Sequence, residues 1–345
     1  MSAITERRLN VPRNMAILAC RYRHFAQIVA IASVQEKKLA NYACYARFFI
    51  AAIFGLALAN CMPTRAAHQY PLGVQTFQSV VYTQQNRRVA LMTIAPAKAG
   101  TYPLIVFSHG ALAAPSRYQA MLDRYANVGY VVIAPLHRDS ELFDGPASDQ
   151  ATIWRTRFED FAVAHELPEV IQSRLSEQGV SVDRSNTVAM GHSYGALIAQ
   201  VAAGAQPVNQ VESDLLLPRV KAVIAWSPPG PLPGIIAPEG WSSLSIPSFT
   251  QTGTADVLPG FIDDWTVHRT AYEMASGTEH WLWVGDGVDH YFGGIYGRES
   301  TTSSENWLLF GQAFETSLAF LNTALKLPRS RKIPTPTNGE VLERK

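Results

Sequence analysis

The chain has 345 residues, 47% of them apolar and 17% charged, with a formal net charge of +1. This is ordinary globular composition with room for a sizeable core. The near-zero charge argues against a basic face for nucleic acid and against an acidic interaction tail, and no internal repeat is visible.

The first 60 residues read differently from the rest. "MSAITERRLNVPRNMAILACRYRHFAQ" is Arg-rich without a clear period, and residues 1–35 are expected to be a non-structural extension left by an over-long translation start. Over residues 36–60, Lys37, Lys38 and Arg47 precede an uncharged apolar run from Phe48 to Ala59. The run is too short to span a bilayer. Basic residues, apolar run and the small Ala57-Leu58-Ala59 follow the order of a secretory signal, which predicts export to the periplasm or beyond. A short buried helix is the plainer alternative. Cleavage after Ala59 would remove Cys20 and Cys44 and leave Cys61 alone, so no intramolecular disulfide is expected. "LANC" resembles a bacterial lipoprotein signal, which would anchor the chain to the envelope through a lipidated Cys61. Asn60 departs from the small residue usual there, and simple secretion competes with the anchor.

From about His68 onward, strand-like and helix-like segments alternate, which predicts an α/β fold with a mostly parallel sheet and helices on both faces. "YPLIVFSHG" is a short, nearly continuous apolar strand ending in a Gly turn, as suits a strand buried on both faces. "RYQAMLDRYANVG" has Met121, Leu122, Tyr125 and Val128 at helical spacing, with Gly129 placed to end the helix. "YVVIAPLH" is the next strand. "ATIWRTRFEDFAVAHELPEVIQSRLSEQG" is helical in period, with a start or kink at Pro168. "NTVAM" is a strand, and "GALIAQVAAGA" a tightly packed helix. "VKAVIAWSP", "IPSFTQTGT" and "HWLWVGDG" are strands, and "SENWLLFGQAFETSLAFLNTALK" is a closing amphipathic helix. These segments predict one domain over residues 68–327. The Pro- and charge-rich residues 328–345 are expected to be a flexible tail. The Pro- and Gly-rich connection between "VIAWSP" and "IPSFTQTG" is long enough to cover a site and too short for a folded lid.

The candidate chemistry centres on "GHSYG". A serine hydroxyl needs a base to become nucleophilic, and the base needs a group to fix its tautomer. Ser193 follows a strand and precedes a helix, with Gly191 and Gly195 two residues to either side, the context of a nucleophile elbow. A glycine turn holding an inert Ser is the bland alternative. In a parallel sheet the partners should emerge at the carboxyl ends of other strands. His290 does so, in the Gly-rich loop "GDGVDHYFGG". His280 begins its strand and so lies at the opposite edge. His192 is aimed away from Ser193 by its adjacent position, and His165 and His268 read as helix-surface residues. Asp256, in "TGTADVLPG", follows the preceding strand and is the candidate acid. Asp263 and Asp264 lie further on, and Asp286 and Asp289 are close to His290 in sequence. For the oxyanion, the natural donors are the backbone N–H groups of Ala111 and Tyr194, with His109 bracing the first of these loops. The order Ser193, Asp256, His290 is that of the α/β-hydrolases.

At these residues the chain resembles a known group. "VFSHGALAAPSRYQAMLDRYANVGYVVIAPLHRDSE", "GHSYGALIAQVAAGA", "GTADVLP" and "DHYFGG" are similar to α/β-hydrolases described as dienelactone hydrolases, to platelet-activating-factor acetylhydrolases and, more distantly, to cutinase- and polyester-hydrolase-like enzymes. The resemblance implies a serine triad of Ser193, Asp256 and His290, with Ala111 and Tyr194 as oxyanion donors, and no metal or other cofactor. True dienelactone hydrolases use a Cys nucleophile where this chain has Ser. In the acetylhydrolases the acid follows the strand matching "VIAWSP", where this chain has no Asp or Glu. Both departures weigh on substrate, and the second favours Asp256.

The resulting expectation is a carboxylic-ester hydrolase acting through an acyl-serine on a small or lipid-like ester. Trp154, Trp226, Trp241, Phe292 and Tyr296 lie in or near loops and are candidates for an apolar substrate pocket. A non-catalytic binding protein on the same scaffold, or an amidase or peptidase using the same triad, are the competing readings.

Overall fold

A computed structural model describes residues 71–208, 216–298, 302–327, 332–337 and 339–345. The extension, the signal segment and Cys61 lie outside the described residues.

Nine strands form one sheet in the order β1-β2-β4-β3-β5-β6-β7-β8-β9. In chain order the elements are β1 (Val74–Tyr82), β2 (Arg88–Pro96), β3 (Gly100–Ser108), α1 (Gln119–Asn127), β4 (Val131–Pro135), α2 (Gln150–His165), α3 (Glu169–Glu177), β5 (Val180–His192), α4 (Tyr194–Ala202), β6 (Val220–Trp226), β7 (Ser248–Ala255), α5 (Thr270–Met274), β8 (His280–Asp289), α6 (Ser304–Ala324) and β9 (Glu340–Arg344). Strands β4, β3, β5, β6, β7 and β8 pair in parallel. The β1–β2 hairpin and β9 add antiparallel edges.

The two-residue period of the central strands divides the core between the two faces of the sheet. In β3, Ile105 and Phe107 join the side chains of α1 and α6, whereas Leu104 and Val106 join those of α2, α3 and α4. In β4, Val132 and Val131 divide in the same way. Because both faces are covered, these strands carry apolar residues at consecutive positions, and each fully buried Val, Leu, Ile or Phe contributes roughly 1.5–3 kcal/mol. Helix starts are satisfied by side chains: Asp149 accepts from the Thr152 N–H at 2.7 Å ahead of α2, and Ser303 accepts from the Asn306 N–H at 3.1 Å ahead of α6. Pro168 stands at the start of α3, where a missing N–H costs nothing.

The sequence reading is corrected at the carboxyl end. Part of the expected flexible tail is a strand: β9 pairs antiparallel with β8, with Val341 opposite Val284. The backbones of Lys345 and His280 exchange hydrogen bonds of 3.0 and 2.9 Å, and Lys345 Nζ donates to the carbonyls of Glu273 and Ala275. Without β9, the backbone groups along that side of β8 would lie unpaired. Tail composition hides this, because the gain comes from backbone pairing with a distant strand.

Candidate active site

Ser193 sits between the end of β5 and the start of α4 with φ 54° and ψ −124°, a backbone conformation that side-chain-bearing residues seldom adopt. Its N–H donates to the Trp226 carbonyl at 2.9 Å, which ties the turn to β6. The flanking glycines are needed for close approach. A Cβ on Gly191 would fall on the Gly195 carbonyl, and one on Gly195 would fall on the backbone of Ser108 and His109 at the end of β3. The turn therefore closes on itself and against the neighbouring strand, and the Ser193 side chain is presented at the carboxyl edge of the sheet.

Asp256 follows β7, and His290 follows β8. His290 Nδ1–H donates to Asp256 Oδ1 at 2.6 Å, and Thr252 Oγ1 donates to Asp256 Oδ2 at 2.8 Å. His290 Nε2 is buried and has no hydrogen-bond partner among the described residues. His290 and Ser193 line the same cavity. No hydrogen bond joins Ser193 Oγ to His290; in substrate-free sites that bond is commonly long and tightens when substrate seats. Asp289 shapes the His290 loop by accepting from the N–H groups of Tyr291 and Gly293 at 3.0 and 2.7 Å. Asp263 and Asp264 accept from the backbone N–H groups of Gly260 and Thr266, and Asp286 accepts from Thr254.

His268 was expected on a helix surface, and the structure corrects this. Its side chain is fully buried against Asp256. Nδ1 faces the Pro228 carbonyl, and Nε2 faces the Asp256 carbonyl at 2.9 Å and Asp256 Oδ1 at 3.1 Å. A carbonyl only accepts, so both ring nitrogens must carry protons and the ring is an imidazolium. Burial opposes charge on both partners, but the mutual attraction outweighs it: His268 is raised above the ordinary His value and Asp256 is held below the carboxylate range by His268 and His290. His165 is also buried rather than exposed.

A pH dependence follows. With Asp256 depressed, its stabilisation is complete above about pH 4 and is lost as pH falls toward its folded value. With His268 raised, its contribution is complete below about pH 6.5 and is lost as pH rises through its folded value. Between pH 6 and 9 the Tm of the wild type should therefore fall relative to that of His268→Gln. Parallel Tm curves would show that folding leaves His268 unshifted, and a relative rise would show that it is buried neutral; either overturns this reading.

Asp256, His268 and His290 bring three ligand-type atoms within 4.8 Å of one another. The 2.6 Å between His290 Nδ1 and Asp256 Oδ1 is a hydrogen-bond length. Two ligands each about 2.0–2.2 Å from one tetrahedral ion would stand roughly 3.3 Å apart. The cluster is therefore a hydrogen-bonded one.

The loop of Gly110 and Ala111, where an oxyanion donor was expected, is held from several sides. Ala111 and Tyr194 both line the cavity. The Gly110 N–H donates to Tyr118 Oη at 3.0 Å, Tyr118 Oη donates to His192 Nδ1 at 2.9 Å, and His192 Nε2–H donates to the His290 carbonyl at 2.8 Å. His192 thus links the Gly110 loop to the His290 loop, with both ring nitrogens engaged. His109 braces the same loop: its Nδ1–H donates to the Gly110 carbonyl at 2.8 Å, and its Nε2 accepts from the His137 N–H at 3.1 Å. Burial keeps His109 and His192 neutral by lowering both well below the ordinary His value.

A second Ser–His–Asp chain lies beneath this loop. Ser108 Oγ bonds to His137 Nε2 at 2.9 Å, and His137 Nδ1 bonds to Asp160 Oδ2 at 2.9 Å. All three side chains are fully buried, and none lines the cavity. Ser, His and Asp thus come together twice among the described residues, and access to the cavity, which Ser193 and His290 line, is what separates the two sets.

The cavity measures about 580 Å³. Its apolar wall includes Leu112, Ile153, Leu232, Ile235, Leu258 and Phe261. Leu232 and Ile235 come from the long Pro- and Gly-rich connection between β6 and β7, which does lie over the site. The five aromatic residues expected to form the pocket do not line it. Trp226, Phe292 and Tyr296 are packed with Phe310 in the core between the sheet and α6, and Trp241 is buried on the other face, donating its indole N–H to Gln200 Oε1 at 2.9 Å. Trp154 is partly buried on α2 against Phe158 and Tyr194. Large rings this close to the sheet gain more by filling its core than by facing solvent.

The chain is similar to several known proteins. A family model described as Chlorophyllase matches residues 68–223. Chlorophyllase-1, chloroplastic, of Citrus unshiu and its namesake from Citrus sinensis are each 30% identical to the chain over 105 residues. The match spans 30% of this chain and 30% of the length of each relative. Among solved structures, a Klebsiella pneumoniae protein described as a dienelactone hydrolase superposes with a TM-score of 0.51 at 17% identity, covering 72% of this chain and 98% of its own. Esterase 2 of Thermogutta terrifontis superposes with a TM-score of 0.51 at 18% identity, covering 77% and 99%. With its parallel sheet, its strand–turn–helix serine and these likenesses, the chain is an α/β-hydrolase in fold.

Proposed function

We propose that the protein is a carboxylic-ester hydrolase with Ser193 as nucleophile, His290 as general base and acid, and Asp256 as the group that orients His290. The observation that carries this reading is the Asp256–His290 hydrogen bond, which leaves His290 Nε2 unpartnered in a residue that lines the same cavity as Ser193. Ser193 Oγ attacks the ester carbonyl as its proton passes to His290 Nε2. The oxyanion is met by the N–H groups of Ala111 and Tyr194. The intermediate collapses, the leaving alkoxide takes the proton from His290, and an acyl-serine remains. Water, deprotonated by His290, then releases the acid. Likeness to proteins named as chlorophyllases, an esterase and a dienelactone hydrolase supports an ester substrate. The apolar wall supports an apolar one.

The test is hydrolysis of p-nitrophenyl esters of increasing acyl length, together with labelling by a fluorophosphonate and mass mapping of the adduct. Hydrolysis and a single adduct on Ser193 are expected. Folded protein that takes no label would overturn the reading.

A further inference from the structure

Arg157, on α2, is a fully buried arginine whose guanidinium has five N–H groups and five acceptors. Nε donates to Asp139 Oδ1 at 2.9 Å. One terminal nitrogen donates to Ser108 Oγ at 3.3 Å and to the His109 carbonyl at 2.7 Å. The other donates to the Gly110 carbonyl at 3.1 Å and to Asp139 Oδ2 at 2.7 Å. The same guanidinium lies 4.9 Å from the centroid of the Tyr194 ring. One side chain therefore touches both segments that carry the oxyanion donors.

The consequence follows from peptide geometry. In a trans peptide the C=O and N–H point in opposite directions. By holding the Gly110 carbonyl on the core side, Arg157 turns the Ala111 N–H of the same peptide the other way, toward the cavity that Ala111 lines. The His109 Nδ1–H and the Ala113 N–H donate to the same carbonyl and reinforce that orientation. Asp139 fixes the guanidinium from its outer side and also accepts from the Leu112 N–H at 3.3 Å, beyond the donor peptide. We propose that Arg157, held by Asp139, is a positioning residue that sets the oxyanion hole by fixing the Gly110–Ala111 peptide. This rests on the ester-hydrolase reading for its kinetic consequence, though not for the peptide orientation itself. Lysine cannot substitute, because an ammonium has three donors and no planar fork to reach two carbonyls and a carboxylate together.

The test uses Arg157→Lys and the double variant Arg157→Met with Asp139→Asn, which leaves no orphaned buried carboxylate should Arg157→Lys fail to fold. In both, kcat should fall by about 10²–10³-fold, the effect of losing one oxyanion donor, while KM changes little. Binding of a trifluoromethyl ketone, which forms a tetrahedral adduct on the serine, should weaken to a similar degree. Arg157→Ala should recover part of its kcat on addition of millimolar guanidinium. Folded variants within threefold of wild-type kcat, or an equal loss of kcat with unchanged ketone affinity, would overturn the proposal. A crystal structure of the double variant decides the matter independently of activity. A turned or displaced Gly110–Ala111 peptide supports the clamp, and an unchanged one refutes it. If the wild type neither hydrolyses esters nor takes the fluorophosphonate, the ester-hydrolase reading fails, and the peptide in that crystal structure still judges the clamp.

Discussion

Ser193→Ala should lower kcat/KM for p-nitrophenyl butyrate by about 10⁶-fold, the loss typical when a triad nucleophile is removed from a serine hydrolase. The substitution removes one oxygen and leaves the turn intact, since the Ser193 N–H still donates to Trp226 and Gly191 and Gly195 still permit the close approach of β3 and α4. The Tm should stay close to wild type. Residual turnover above water would come from the oxyanion donors and from binding alone. Fluorophosphonate labelling should vanish with the activity. Labelling that persisted would move the nucleophile elsewhere, and Ser108 is a poor substitute because it is fully buried and bonded to His137 and Arg157.

Asp256→Asn should cost about 10⁴-fold in kcat, the effect of fixing the wrong tautomer in such triads. Three donors converge on this side chain: His290 Nδ1–H, His268 Nε2–H and Thr252 Oγ1–H. A carboxylate accepts from all three. A carboxamide replaces one acceptor with an NH₂, so one donor must lose its partner or turn away. Asp256 Oδ1 faces both His290 Nδ1 and His268 Nε2, and Oδ2 faces Thr252. If the amide nitrogen takes the Oδ1 place, it forces the His290 proton onto Nε2, the atom that has to accept from Ser193, and sets an N–H against the His268 Nε2–H, so the site loses stability as well as rate. If it takes the Oδ2 place, it faces Thr252, whose hydroxyl can turn to accept, and the Tm holds while the lost charge beside His290 still lowers kcat. Measuring kcat and Tm together separates the two outcomes. Asp263→Asn is the matched control, since Asp263 accepts from the Gly260 N–H at 2.8 Å and makes no bond to His290. A loss confined to Asp263→Asn would reassign the acid.

The central strands and the sequence positions of Ser193, Asp256 and His290 were legible because the signals are local. A run such as "YPLIVFSHG" carries its own burial on both faces, and a loop residue directly after such a run must emerge at one edge of a parallel sheet. Gly191 and Gly195 mark their turn in the same way, since a sharp strand-to-helix reversal excludes a Cβ at those positions. The helix after Pro168 and the covering loop between β6 and β7 follow from composition and length. Tertiary structure alone decided what depends on partners far apart in the chain. His268 looks like a surface residue by helical period and becomes a buried cation because Asp256, twelve residues away, folds back on it. Arg157 reads as one charge among several on a helix and is fully buried because Asp139, two backbone carbonyls and Ser108 Oγ take all its donors. The large aromatics went to the core, and Leu112, Leu258 and Phe261 to the pocket, because which face of a loop turns inward is set by what it packs against. Glu340–Arg344 became a strand because β8 offered it an unpaired edge. Periodicity and turn chemistry are properties of a few adjacent residues, whereas hydrogen-bond satisfaction of a buried charge is a property of everything around it.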